Sequence, residues 1–269
     1  MSRKINTLTI CYTLFVVMLL LSSILNGPIF YLLYPLTFAL PVLLGIFMTR
    51  EEGVEKKRYL TINSEMIEDF LPFVFPIVAV TILTSFITSV IIFNLTGKTN
   101  SVDLGDSYIL ALITSALLPA IFEEVLFRYL PLRLLGTHSH KAAIFVSAFF
   151  FSLAHLDLFT IPYAFVGGVL LMFVDILTGS VLPSIIIHFI NNALSVTMYF
   201  LADSPIMIFG IYAIIVVLTL ISVMVICSKK EEYSESLMVM FMPGEDVKIT
   251  ISMILFAVLA LVTAALTLG

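Results

Sequence analysis

The stretch Ser107–Leu135, SYILALITSALLPAIFEEVLFRYLPLRLL, is long and apolar enough to cross a bilayer, yet it carries Glu123, Glu124 and Arg128 in its interior. Each charged side chain near the centre of a membrane helix costs about 2.5–3.5 kcal/mol. Three would cost about 8–10 kcal/mol unless they are paired, buried in protein or wetted, so such a cluster marks a functional site. The rest of the chain sets that stretch in a membrane. Of 269 residues, 61% are hydrophobic and only 12% charged, with a mean hydropathy of +1.16, which no water-soluble surface of this size accommodates.

Within this stretch a helix is expected over Ser107–Leu130, and outward from it apolar runs bounded by Gly, Pro or charge predict further helices over Ile5–Leu25, Pro28–Met48, Phe70–Phe93, Ala142–Leu156, Pro162–Thr178, Leu182–Leu201, Ile206–Cys227 and Ile249–Leu268. The expected fold is all-α, a polytopic transmembrane bundle of eight or nine spans in the cell membrane, forming a single integral domain over 1–269 with catalytic core helices over 107–201. With the N-terminus cytoplasmic, every Lys and Arg except Lys98 falls on the inner side, including Arg50, Lys56, Lys57 and Arg58. The first run is too long for a signal-peptide core and lacks a small-residue cleavage site, so it is kept as a helix. The polar run from Arg50 to Asp69 is expected to hold a loop and an interfacial helix bearing Glu65, Glu68 and Asp69.

The net charge of −5 is sorted by loop, which gives no reason to expect nucleic acid as a partner. Cys11 and Cys227 lie in separate apolar runs and read as packing residues.

On a helix, Glu124 and Arg128 are four apart with the acid first, the favoured order for an ion pair. Glu123 points about 100° away, free to face a cavity while its neighbour holds the arginine. Pro119 removes a helical N–H one turn earlier, so a kink is expected near the site. Phe151 and His155 share one helix face, and His188 and Asn192 another. A carboxylate and a neutral imidazole can hold and deprotonate water; a second imidazole and an amide can donate to the oxyanion of a tetrahedral intermediate. That inventory suits peptide-bond hydrolysis.

Glu-Glu-x-x-x-Arg at 123–128, Phe-x-x-x-His at 151–155 and His-x-x-x-Asn at 188–192 together resemble the CAAX protease and bacteriocin-processing (CPBP, or ABI) family of intramembrane proteases, whose members are similar to the type II CAAX prenyl endopeptidase. The resemblance implies that Glu123 and His155 activate water, that His188 and Asn192 form the oxyanion site, and that Glu124 with Arg128 holds the site together. It implies a peptide or membrane-tethered protein substrate cut near the cytoplasmic face. Glu-Glu-x-x-x-Arg is not a zinc motif, and only His155, His188 and one carboxylate would be left as ligands. No cofactor is therefore expected, with a divalent metal such as zinc as the alternative.

Two other functions compete. A proton-coupled transporter would use the Glu and His residues as a relay and needs a polar path to the outer face, whereas the sequence shows few polar residues in the outer halves of the helices. A non-catalytic peptide-binding or bacteriocin-immunity protein would need no chemistry at Glu123. Asp175 is expected at the membrane interface, Asn191 in an interhelical bond, Gly167 and Gly168 at close helix contacts, and His138 and His140 in solvent. One depth mismatch stands: counted from Lys141, His155 lies about 21 Å along its helix, past the midplane, whereas Glu123 and His188 fall nearer the cytoplasmic end.

Overall fold

The computed structural model describes residues 2–23, 28–49, 64–100, 102–136, 138–240, 242, 244 and 247–267, and among these it is helical without strands. The helices are α1 (Ser2–Ser23), α2 (Pro28–Met48), α3 (Ser64–Phe70), α4 (Val74–Thr96), α5 (Tyr108–Leu135), α6 (His140–Ala154), α7 (Ile161–Thr178), α8 (Leu182–Phe200), α9 (Pro205–Ser228), α10 (Lys230–Met240) and α11 (Ile251–Thr267). Each apolar run read from the sequence is a helix, and the acidic segment before Phe70 is the short α3. The cationic cluster at Arg50, Lys56, Lys57 and Arg58 lies outside the described residues.

By length and composition, five described helices can cross a membrane: Ser2–Leu21, Ser64–Thr96, Tyr108–Leu135, Ile161–Thr178 and Pro205–Ser228. Pro35–Met48, His140–Ala154 and Ile251–Leu266 are shorter apolar helices. The chain is a multi-pass integral membrane protein. Its outward faces carry large apolar side chains, such as Leu83 on α4 and Phe209 and Met224 on α9, where lipid replaces water as solvent. Cys11 is buried in the core as expected, whereas Cys227 is exposed on α9.

Helix α7 is the hub, packed against α6, α4 and α8. Two glycines permit that closeness. A Cβ on Gly168 would stand 3.0 Å from the Cα of Ala148 on α6, and one on Gly167 would stand 3.1 Å from Thr81 Cγ2 on α4. Both are the close contacts the sequence predicts, as small residues in membrane helices commonly make. On the other side of α5 and α6, Tyr12 of α1 stacks on Phe127 with ring centroids 4.9 Å apart and tilts against Phe150 at 4.6 Å. This aromatic core backs the polar cluster with a wall free of water.

Helix α5 is not uniform. Leu112–Leu117 and Val125–Tyr129 are wide, π-type turns flanking Leu118–Glu124. Just before Pro119, the Leu118 N–H reaches back five residues to Ile113 O. The proline has no N–H and its ring crowds the carbonyl one turn back, so the helix widens there. The expected kink is realised as this pair of wide turns around the glutamates.

Candidate active site

Glu124 and Arg128 are both completely buried, with Glu124 Oε2 and Arg128 Nε 3.0 Å apart. The contact is an ion pair that lacks the alignment of a hydrogen bond. Glu124 spends its other oxygen on α8, where Oε1 accepts from His188 Nδ1 at 2.8 Å. Arg128 Nη1 donates to Ser147 Oγ of α6 at 2.8 Å, and Ser147 in turn donates to Phe127 O. Among the described residues Nη2 has no hydrogen-bond partner, but the guanidinium carbon lies 4.5 Å from the Phe151 ring centroid, a buried cation–π contact. Glu124 and Arg128 thus clamp α5, α6 and α8 together behind the cavity.

Glu123 faces the other way. Its side chain is 17% exposed, and Oε2 lies 3.9 Å from His188 Nε2. Glu123, His155, His188 and Asn192 all line one cavity of about 910 Å³, together with Phe151, Pro119 and Tyr163. The three motifs, dispersed over three helices, therefore converge on one space.

Local structure fixes the two imidazoles. His155 caps the end of α6, and its Nδ1 lies 2.8 Å from Phe151 O. A carbonyl only accepts, so Nδ1 carries the proton and Nε2 presents a lone pair. The chain then turns sharply. Leu156 takes φ 55°, a left-handed conformation that costs a leucine about 1–2 kcal/mol. Asp157 secures that turn by accepting from the Phe159 N–H at 3.2 Å and from the Thr160 hydroxyl, so α7 begins at Ile161, after a short tight turn. By the same logic His188 gives its Nδ1 proton to Glu124 and turns Nε2 toward Glu123. Edge-on contacts of Phe151 with His155 and His188, at 4.8 and 5.9 Å between centroids, hold both rings upright.

The depth mismatch is removed by the helix lengths. Helix α5 continues to Leu135, which places Glu123 about 18 Å before its end, and His155 lies about 22 Å from the start of α6 across the intervening turn. The two positions differ by about 4 Å along the helices, and both side chains line the same cavity. His188 reaches the same depth because α8 begins inside the protein: Ser180, Val181 and Ser184 are fully buried.

That buried start corrects the reading of Asp175. It is completely buried rather than at the interface, and its Oδ1 accepts from the Ser184 N–H at 3.1 Å, satisfying a first-turn donor of α8 that no water reaches. Asn191 makes the expected interhelical bond, accepting from Thr81 Oγ1 at 2.8 Å. His138 is exposed, with Nε2 3.2 Å from Lys4 Nζ. Sequence reasoning missed Ser147, Asp157 and the depth of Asp175. A serine two residues before a run of phenylalanines was the one available signal for the first.

The cavity also corrects the expectation of an apolar far half. It runs along α4 and α8 past Ser85, Ser89, Ser195 and Tyr199 to Asn100 in the connection 97–107. As to a metal, no three His, Cys, Asp or Glu side chains among the described residues are grouped to hold one.

Residues 105–194 match the family described as Type II CAAX prenyl endopeptidase Rce1-like. The matched stretch runs from just before α5 into α8, a third of the 269 residues, and contains every cavity-lining residue of the three motifs. No curated protein and no solved structure matches the chain.

Proposed function

We propose, from the match of residues 105–194 to the Type II CAAX prenyl endopeptidase Rce1-like family and from the site it covers, that this chain is an intramembrane endopeptidase whose catalytic core is 107–201. It hydrolyses a peptide bond of a membrane-associated peptide or protein near the cytoplasmic face. The observation that carries this reading is the convergence of Glu123, His155, His188 and Asn192 on one cavity, with Glu124 and Arg128 paired behind it.

In the proposed reaction a water sits between the Glu123 carboxylate and the free Nε2 of His155. Glu123 takes one proton as the water oxygen attacks the scissile carbonyl carbon. The resulting oxyanion receives hydrogen bonds from the Asn192 amide and from His188 Nε2–H. Because Nδ1–H of His188 is committed to Glu124, donation from Nε2 uses the imidazolium form of the ring. The C–N bond then breaks, the proton held by Glu123 passes to the leaving nitrogen, and the second proton of the water passes to His155 Nε2 as the new carboxyl group ionises, giving a carboxylate and a free amine. Glu124 and Arg128 take no part in proton transfer; they hold His188 in register. No step runs through a metal.

The test incubates purified wild type and Glu123→Gln with a mixed panel of hydrophobic and prenylated peptides and reads products by mass spectrometry. Cleavage by wild type that is lost in Glu123→Gln supports the reading. Equal silence from both folded proteins contradicts it and favours the transporter, for which the polar lining toward 97–107 supplies a path and proton flux the assay.

A further inference from the structure

Beyond Glu123 and His188 the cavity continues between α4 and α8, and its walls differ in character. On α4, Thr81, Ser85 and Ser89 recur every fourth residue and line it. The neighbouring hydroxyls of Thr84 and Thr88 turn back to carbonyls of their own helix at 2.8 Å, which is how a membrane helix usually satisfies them. Ser85 and Ser89 do not: among the described residues neither makes a hydrogen bond, and both face the cavity. Apolar side chains, among them Phe86, Leu104, Val196 and Met198, line the remainder.

The spacing is informative. Residues four apart on a helix rise about 6 Å, and an extended peptide presents backbone groups on one edge every two residues, about 6.6–6.8 Å. A peptide backbone offers partners to both hydroxyls where they stand, whereas a prenyl or acyl chain offers none and would leave them only the carbonyls of their own helix.

We infer that the arm of the cavity between Glu123 and the connection 97–107 is a groove for an extended peptide backbone, in which Ser85 and Ser89 hydrogen-bond alternate residues of the substrate and the apolar wall receives its side chains. This deepens the hydrolase reading and rests on it. The substrate class it names is a peptide segment drawn out to at least four residues on one side of the scissile bond, with any lipid group lying outside this arm.

The test separates binding from cleavage. A mixed library of capped ten-residue peptides is equilibrated with detergent-purified Glu123→Gln protein, and the retained peptides are identified by mass spectrometry. The best-retained peptide is then titrated against Glu123→Gln and against Glu123→Gln carrying Ser85→Ala and Ser89→Ala. Loss of two ordinary hydrogen bonds predicts about tenfold weaker binding, with a similar loss when alternate backbone amides of the peptide are N-methylated. Farnesylcysteine methyl ester is expected to bind both proteins equally. Unchanged peptide affinity in the serine variant, or retention of the farnesyl probe alone, overturns the groove. Cleavage by the wild type is scored separately. Peptides that bind with this pattern but are never cut sink the hydrolase and spare the groove, whereas cleavage with a KM indifferent to Ser85 and Ser89 does the reverse.

Discussion

Glu123 and Glu124 are chemically identical neighbours in opposite environments, and the account predicts opposite consequences for their removal. Glu123 faces a cavity and its nearest ionic neighbour is 3.9 Å away, so Glu123→Gln is expected to leave the thermal melting point of the detergent-purified protein nearly unchanged while lowering the cleavage rate by about 10²–10⁴. Glu124 is fully enclosed by Arg128 and His188. Removing one member of a buried pair strands the other charge, so Arg128→Met is expected to destabilise by about 3–5 kcal/mol, read as a lost or strongly lowered melting transition. A Glu124→Gln protein as stable as wild type would contradict this division of labour. The division itself was legible in the sequence, because an i,i+4 pair and a 100° offset are helix geometry. The Glu124–His188 bond was not, because nothing in one chain says which histidine of which helix lies beside it.

At the scale of the element, Gly168 is the sharpest test of how the site is assembled. A side chain there meets the α6 backbone at 3.0 Å, so Gly168→Val must push α6 from α7, and α6 is the helix that delivers Phe151 and His155. Overpacking of this kind costs about 1–3 kcal/mol, and the variant is expected to lose both stability and cleavage, whereas Gly210→Val on α9, where a Cβ meets nothing within 4 Å, is expected to change neither. The helices were legible because apolar length fixes them. Their ends and internal irregularities were not: α5 runs five residues past the expected Leu130, Pro119 is absorbed by wide turns, and Leu156 adopts a left-handed φ that no leucine signals in advance. Asp175 was misplaced for a related reason. Hydropathy assigns an acid near a helix end to the interface, and only the packed start of α8 reveals a buried donor for it to satisfy.

For the whole molecule, the bundle brings three dispersed motifs around one cavity of about 910 Å³ whose donors do not group as metal ligands. Cleavage is accordingly expected to survive excess chelator, and chelator-sensitive cleavage restored by a divalent metal would overturn metal-free chemistry. The all-helical membrane class followed from composition, since a chain this apolar leaves no other solvent than lipid. The cavity's extent did not, because two serines among apolar neighbours on α4 look unremarkable until the helix is rotated against α8.

The most direct test of the central claim, that Glu123 activates water for peptide-bond hydrolysis, is to follow a cleaved peptide in ¹⁸O-water with wild type and Glu123→Gln matched for folding. The account predicts one ¹⁸O in the new carboxylate of the wild-type product and product formation reduced at least a hundredfold in the variant. Comparable amounts of labelled product from both proteins would contradict it.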